Sequence, residues 1–347
     1  MEDTNWTFKY RPKNLDDLYE NKYIKNIINQ CIETNDMPNF LFYGPSGTGK
    51  TSTIYTIINH FFKSKNKNLD NRILYLNASD DRGISVVREK IKTFSKLSIN
   101  KNDDDSPNFK IIILDEADNM TQDAQSALRR IMEIYSNNTR FCIICNYLNK
   151  IIEPIVSRCS SLRFISLNKE CIYNIINRIE INENFKLDKD IKDYLYNETN
   201  GDARKIINLL ECLYNLYYKN NKNNKNNDNH IYKYELLNDL TGNMNNKTFL
   251  NLLHKIKNSK IQDLPELISN IKYESYDINK IIKKVIQFVY NSNLNYEQQY
   301  IFVKKYNNYL RNIFEGCNEE IVLNKLFYDI KLLFNNQCLD LDFDEDI

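Results

Sequence analysis

The sequence predicts an α/β fold, a parallel five-stranded sheet layered between helices, with an all-helical region after it. Three features predict it. A short apolar run, Phe40–Tyr43, enters a glycine-rich turn and then a helical pattern over Lys50–Phe62, with apolar residues at 54, 57, 58, 61 and 62. The run Ile111–Leu114 is continuously apolar, as expected of a strand buried on both faces of a parallel sheet. Beyond Leu167 the strand patterns stop and helix follows helix. Strands alternating with helices before that point are the pattern of crossover units.

The turn reads Gly44-Pro45-Ser46-Gly47-Thr48-Gly49-Lys50-Thr51-Ser52, which has the spacing of a P-loop. Glycines let successive backbone N–H groups face a phosphate, and the helix N-terminus adds partial positive charge. Lys50 is expected at the β- and γ-phosphates of a nucleoside triphosphate, and the Thr51 hydroxyl on Mg²⁺. The strand ending in Asp115-Glu116 supplies the complement, because ligands in parallel sheets bind at the carboxyl ends of the strands. Asp115 can hold Mg²⁺ through its water shell, and Glu116 can polarise an attacking water.

With 347 residues two or three domains are expected. Hydrophobic content of 42% suffices for a buried core, and no apolar run spans a bilayer. The N-terminus, Met1-Glu2-Asp3-Thr4, is too polar for a signal peptide. A net charge of +1 excludes a generally nucleic-acid-coating protein, so any DNA contact must come from local clusters. Eight cysteines lack framework spacing and three histidines are few for a zinc site. The single CxxC, Cys142 and Cys145, lies in the apolar run Arg140–Asn146, so these are expected to be buried thiols.

The elements follow in order. The arm Trp6-Thr7-Phe8-Lys9-Tyr10-Arg11-Pro12 is aromatic and basic, with Arg11 extended before the proline. It can pack against the domain or enclose a nucleotide's base and phosphates. A helix is expected around Tyr23–Cys31, a strand over Ile73–Leu76 and a helix after Ile84, with Ile84, Val87, Ile91 and Phe94 facing inward. On that helix Arg88, Lys92 and Lys96 form one basic stripe, ordinarily a solvated face. Thr121 is an expected N-cap for the helix to Tyr135. Strands at Thr139–Cys145 and Ser161–Phe164 complete the sheet, and the first of these ends in Asn146. Helices are expected at Lys169–Glu180, at Asp188–Tyr196 and from Gly201 to about Tyr217. The Asn/Lys run Lys219–His230 is too polar to pack a core, and the acidic Asp340–Ile347 is expected to fray.

Together these segments resemble the small subunits of replication factor C, the AAA+ clamp loader. The resemblance rests on Trp6 to Pro12, on Leu76-Asn77-Ala78-Ser79-Asp80-Asp81-Arg82-Gly83-Ile84 and on Asp115-Glu116-Ala117-Asp118-Asn119-Met120-Thr121. Ala127-Leu128-Arg129-Arg130 and Ile151-Ile152-Glu153-Pro154, running to Ser157-Arg158-Cys159, extend it. Tyr43, Val86–Lys90 and Phe141–Tyr147 are most similar to the thirty-seven-kilodalton small subunit. Ser46 stands where this loop commonly carries a second proline.

The resemblance implies roles. Lys50 and Thr51 act as Walker A, Asp115 and Glu116 as Walker B. Asn146 is implied as sensor 1, Arg204 as sensor 2 on the helical lid, and Thr7, Arg11 and Tyr19 as further nucleotide contacts. Arg158 is implied as an arginine finger acting in trans on a neighbouring subunit's ATP, against the plain alternative of a salt bridge within its own domain. Arg82, Arg88, Lys92 and Lys150 are implied as DNA phosphate contacts, which reverses the solvated-face reading of the stripe. The implied organisation is an AAA+ nucleotide-binding domain over 1–167, a helical lid over 168–234 and a helical collar over 235–347. The implied partners are the other subunits of a heteropentamer, the sliding clamp (proliferating cell nuclear antigen) and primer–template DNA, in the nucleus and without a membrane. The alternatives are another AAA+ ATPase of the branch-migration helicase or origin-loading type, a non-hydrolysing scaffold subunit, and a small-molecule P-loop kinase.

Overall fold

The computed structural model describes residues 5–18, 22–62, 72–78, 84–97, 107–219, 230–292 and 294–335. The chain forms two compact units, divided between Tyr214 and Asn215.

The first unit is built on a sheet of β1 (Phe40–Tyr43), β2 (Ile73–Asn77), β3 (Lys110–Asp115), β4 (Thr139–Cys145) and β5 (Ser160–Arg163). Their order is β2-β3-β4-β1-β5, and every pairing is parallel. Because β1 sits between β4 and β5, the chain leaving β1 emerges beside the carboxyl end of β4. The register Tyr43↔Cys145 brings the start of the glycine loop level with Asn146, the residue after β4.

Side chains alternate between faces along each strand, and two cores result. On one face Phe40, Phe42, Ile111, Ile113, Cys142 and Ile144 pack with Ile24 and Ile28 of α2 (Lys22–Glu33) and Ile54, Ile57 and Ile58 of α3 (Lys50–Phe62). On the other, Leu41, Ile112, Leu114, Phe141 and Ile143 meet Ile91 and Phe94 of α4 (Ile84–Lys96) and Leu128 and Ile131 of α5 (Gln122–Ile134). The expected inward positions Ile84 and Val87 have side chains outside the described residues. Thr121 caps α5, its hydroxyl accepting from the Ala124 N–H at 3.3 Å. Lys110, which opens the apolar run, is buried; its Nζ donates to the carbonyls of Phe94 and Leu97 at the end of α4. A helix C-terminus leaves such carbonyls without partners, so the lysine is part of the packing.

The unit begins with the short helix α1 (Trp6–Lys9) and closes with α7 (Lys169–Glu183), α8 (Lys189–Thr199) and α9 (Ala203–Leu213), after a single-turn α6 (Glu153–Val156). Asn184 and Asn200 end α7 and α8 in the left-handed region, with φ of 56° and 51°, a conformation asparagine tolerates well. Both helices run further than their periodicity suggests. The expected helix to Tyr217 instead gives way at Leu213 to a π-helical turn over Tyr214–Lys219.

The second unit is helical: α10 (His230–Thr241), α11 (Asn246–Asn258), α12 (Leu264–Tyr273), α13 (Ile278–Tyr290), α14 (Tyr296–Phe314) and α15 (Glu319–Asn335). Leu253, Ile256, Ile281, Ile282, Leu326 and Phe327 are fully buried at its centre. Among the described residues no helix is long and apolar enough to cross a membrane. Most of the Asn/Lys run and the acidic tail lie outside the described residues.

Candidate functional site

The glycine loop, the ends of β3 and β4, the N-terminal arm and the helices α7 and α9 enclose a cleft of about 470 Å³ in the first unit. Its wall carries Ser46, Gly47, Thr48, Gly49, Lys50, Thr51 and Ser52 from the loop and α3, and Asp115, Glu116 and Asn146 from the sheet. Thr7 and Arg11 of the arm and Arg204 of α9 complete the polar lining. The structure therefore brings together most of the residues singled out for nucleotide contact, from positions up to about two hundred residues apart.

Two glycines hold the loop in conformations a side chain could not adopt. Gly44 has φ of 144°, and a Cβ there would come within 2.0 Å of the Phe164 carbonyl oxygen. Gly47 has φ of 66°, and a Cβ there would overlap the Asp202 carboxylate at 1.8 Å. The chain departs from β1 at the first and lies against the start of α9 at the second.

Lys50 is only 7% exposed. Its Nζ donates to the carbonyls of Gly44 at 2.7 Å and Pro45 at 2.6 Å, and to Asn146 Oδ1 at 3.0 Å. Gly44 and Pro45 thus serve through their backbone. Burial pushes the Lys50 ammonium down from the usual lysine range, and the Asp115 carboxylate pulls it back up. An ammonium held this way is ready to exchange loop carbonyls for an anionic oxygen.

The Asp115 carboxylate accepts three hydrogen bonds. Thr51 Oγ1 donates to Oδ2 at 3.1 Å, the Tyr75 hydroxyl donates to Oδ2 at 3.0 Å, and the Glu116 N–H donates to Oδ1 at 3.0 Å. Glu116 itself is exposed, with a left-handed backbone of φ 54°, uncommon for a residue with a side chain and concentrated at functional sites. Asn119 Nδ2 donates to Glu116 Oε2 at 3.3 Å.

The arm both packs and lines. Trp6 is buried, stacked on Phe185 and tilted against Tyr214, and the Tyr10 hydroxyl donates to Glu183 at 2.5 Å. Thr7 and Arg11, each one residue further along, face the cleft. The arm therefore packs against its own unit through Trp6 and Tyr10 while Thr7 and Arg11 contribute to the cleft wall. Apolar Ile175, Ile179 and Ile207, with Arg178 paired to Asp17 at 3.0 Å, close the inner end.

Asp202 was not singled out by its sequence context. Its Oδ1 accepts from the Arg204 and Lys205 N–H groups at 3.0 and 3.1 Å, capping α9. Its Oδ2 accepts from Ser46 Oγ at 3.0 Å, and the Ala203 N–H donates to the Gly47 carbonyl at 3.1 Å. The serine that replaces a common proline therefore helps the Gly47 carbonyl tie the loop to α9. The only available signal was Asp202 as a helix N-cap, which says nothing of its second partner.

Other expected residues lie elsewhere. Arg158 does not line this cleft; its Nη2 pairs with Glu133 at 2.7 Å and its Nη1 donates to the Pro154 carbonyl at 2.7 Å. That is the salt bridge within its own domain named as the alternative, on a surface where the Arg158 side chain remains 37% exposed. Lys92 and Lys150 are exposed. Tyr19, Arg82 and the side chain of Arg88 lie outside the described residues. Cys142 and Cys145 are buried and unpaired by disulfide, with burial pushing the Cys145 thiol up to about 12. Among the described residues no cluster of His, Cys, Asp and Glu could by itself hold a metal ion.

The sheet order, the glycine loop and the carboxylate at the end of β3 define a P-loop ATPase of the AAA+ class. The model of the "ATPase family associated with various cellular activities (AAA)" matches residues 40–167. The chain is 34% identical to replication factor C subunit 4 of Homo sapiens over 96% of this chain and 89% of that one. It is 39% identical to replication factor C subunit 4 of Arabidopsis thaliana over 82% and 81% of the two chains. With replication factor C subunit 2 of Saccharomyces cerevisiae it shares 45% identity over 59% of this chain, spanning 60% of the yeast protein's length. The chain belongs to the small subunits of replication factor C, the AAA+ clamp-loader ATPases. The solved structure of the Thermotoga maritima RuvB Holliday junction branch migration motor superposes with a TM-score of 0.51 at 15% identity, covering 76% of this chain and 85% of that one. That likeness is one of fold alone, so the branch-migration alternative has no support beyond the shared architecture.

Proposed function

We propose that this chain is one ATP-hydrolysing member of a heteropentameric replication factor C ring in the nucleus, which opens the sliding clamp (proliferating cell nuclear antigen) and sets it on primer–template DNA. The observation that carries the ATP-hydrolysing part is the junction of Lys50 with Asn146 and of Thr51 with Asp115 in one cleft. The non-hydrolysing scaffold and the small-molecule kinase both lack a use for this set together with Arg158.

The donor set fits Mg²⁺ and a nucleoside triphosphate. A carboxylate and a threonine hydroxyl are hard oxygen ligands of the kind Mg²⁺ takes, and the glycine loop ends on the N-terminus of α3, which favours phosphate. Thr51 and, through its water shell, Asp115 would hold Mg²⁺, whose charge would offset that of the phosphates. Lys50 would exchange the Gly44 and Pro45 carbonyls for phosphate oxygens. Asn146 would orient the attacking water and Glu116 accept its proton as the new bond to the γ-phosphorus forms and the bond to the bridging oxygen breaks. Arg204 would reach the γ-phosphate from α9, while Thr7, Arg11 and Tyr19 hold the rest of the nucleotide.

Arg158 would act in trans. Its side chain is exposed enough to exchange Glu133 for a neighbour's phosphate, so hydrolysis would await correct ring assembly. Arg82, Arg88, Lys92 and Lys150 would bind DNA phosphates, contacts that hold the duplex without reading its sequence. The division into nucleotide domain 1–167, lid 168–234 and collar 235–347 belongs to the same proposal.

The test is a pair of variants in the reconstituted complex. Glu116→Gln should keep ATP binding and lower DNA-stimulated hydrolysis at this site at least about a hundredfold. Arg158→Ala should leave this chain's own nucleotide affinity unchanged and depress hydrolysis at the adjoining site. Unaltered turnover in both would refute the assignment.

A further inference from the structure

One polar group bonded to a residue of the cleft wall has no part in the roles described so far. Tyr75 lies on β2, and the register Asn77↔Asp115 with Tyr75↔Ile113 puts it diagonally from Asp115 on the same face of the sheet. Such a diagonal is within reach of a long aromatic side chain. Its hydroxyl donates to Asp115 Oδ2 at 3.0 Å.

The ring of Tyr75 is supported from α3. Tyr55 stacks on it with centroids 6.1 Å apart and planes at 28°. The Arg11 guanidinium lies over the opposite partner of the stack, 4.5 Å from the Tyr55 ring centre. Arg11 also lines the cleft. An unbroken series of contacts therefore runs from the N-terminal arm through two aromatic rings to the carboxylate at the end of β3.

We infer that Tyr75 is a positioning residue, which orients the Asp115 carboxylate toward a divalent cation and is itself held in place by Tyr55. The inference rests on the proposed Mg²⁺–ATP reading of the cleft. Thr51 can give its proton to Oδ2 while turning an oxygen lone pair to a cation. Tyr75 adds the second donor on Oδ2, and the Glu116 N–H fixes Oδ1. Three donors from three different positions leave the carboxylate one orientation. Outer contacts of this kind set how well a ligating carboxylate meets its metal. At 42% exposure the tyrosine contributes little to the core, and removing its hydroxyl should not disturb the fold.

The test uses the full-length chain with Mn²⁺ as the metal probe, free Mn²⁺ being read by electron paramagnetic resonance in the presence of ADP. Tyr75→Phe keeps the stack on Tyr55 and loses only the donor. It should weaken Mn²⁺ binding roughly tenfold, with ADP affinity in EDTA and the melting midpoint as in the wild type. Tyr55→Leu keeps the phenol and loses its support, and should weaken Mn²⁺ binding by about twofold to tenfold. Wild-type Mn²⁺ affinity in Tyr75→Phe overturns the inference, and so does an equal loss of metal-free ADP binding, which would mark general damage to the cleft. Failure of the wild-type chain to bind ADP either in EDTA or with Mn²⁺ present would instead overturn the nucleotide reading beneath it.

Discussion

Both units of this protein bury lysines, Lys110 among them in the first, and two of these, one from each unit, rest on carbonyls in nearly the same way for different ends. Lys50 in the first unit and Lys331 in the second are 7% and 8% exposed. Lys331 Nζ donates to the carbonyls of Ile256 and Lys257, both at 3.1 Å, and of Ser259. Those carbonyls close α11, where no further helical N–H exists to satisfy them. The ammonium and the helix end are each other's partners, with the Ser259 hydroxyl sharing the Ile256 carbonyl. Lys50 also rests on carbonyls, but they belong to a loop, and its third partner is the Asn146 side chain on the edge of an open cleft. A buried ammonium is therefore no sign of chemistry by itself. What distinguishes Lys50 is a cavity beside it and partners that can be exchanged.

The comparison can be broken in three places. The largest expected effect is Lys50→Ala, which should reduce ATP affinity roughly a hundred- to a thousandfold, the scale of removing one member of a desolvated charge contact, with little change in melting midpoint. Titration calorimetry beside thermal unfolding checks it; a variant that binds normally would return Lys50 to the structural class. Lys331→Met should do the reverse. It removes a donor from the Lys257 and Ser259 carbonyls, while the Ile256 carbonyl keeps the Ser259 hydroxyl, so unfolding free energy should fall by about 2–3 kcal/mol in denaturant titration while ATP binding is retained. Unchanged stability would mean that water replaces the ammonium and that Lys331 is dispensable. The smallest effect is expected of Asp202→Ala, which removes the α9 cap at a cost of about 1 kcal/mol and frees Ser46 from its partner. Hydrogen exchange at the Arg204 and Lys205 amides should rise, because those donors lose their acceptor. Protection equal to the wild type would show that another group caps α9.

Much of the cleft was readable in the linear chain because its parts are local. A P-loop is a continuous run whose glycines, lysine and threonine act through neighbouring backbone, so Gly44 to Thr51 could be assigned without knowing what surrounds them. The helix Lys50–Phe62 and the strand Thr139–Cys145 have the limits their periodicity implies, since each presents an unambiguous buried face. Asp115 and Asn146 follow from the rule that parallel strands point their carboxyl ends at the ligand. Arg158 was readable only through resemblance, and in the isolated chain it pairs with Glu133.

What the chain order concealed are the contacts between distant segments. Lys110 read as the first residue of a strand, yet it closes the end of α4. Ser46 read as a departure from a common loop, yet its hydroxyl meets Asp202 across a separation of 156 residues. Tyr75 read as an ordinary strand residue; its bond to Asp115 depends on β2 lying beside β3 in one register. By itself the sequence determined which elements form and which of them line the cleft, because periodicity and loop chemistry act over a few neighbouring residues. Tertiary structure alone decided the order β2-β3-β4-β1-β5 and, with it, which donors surround Asp115 and Lys50. Strand neighbours are selected by long-range packing, and a polar side chain takes whichever partner that packing brings within about 3 Å.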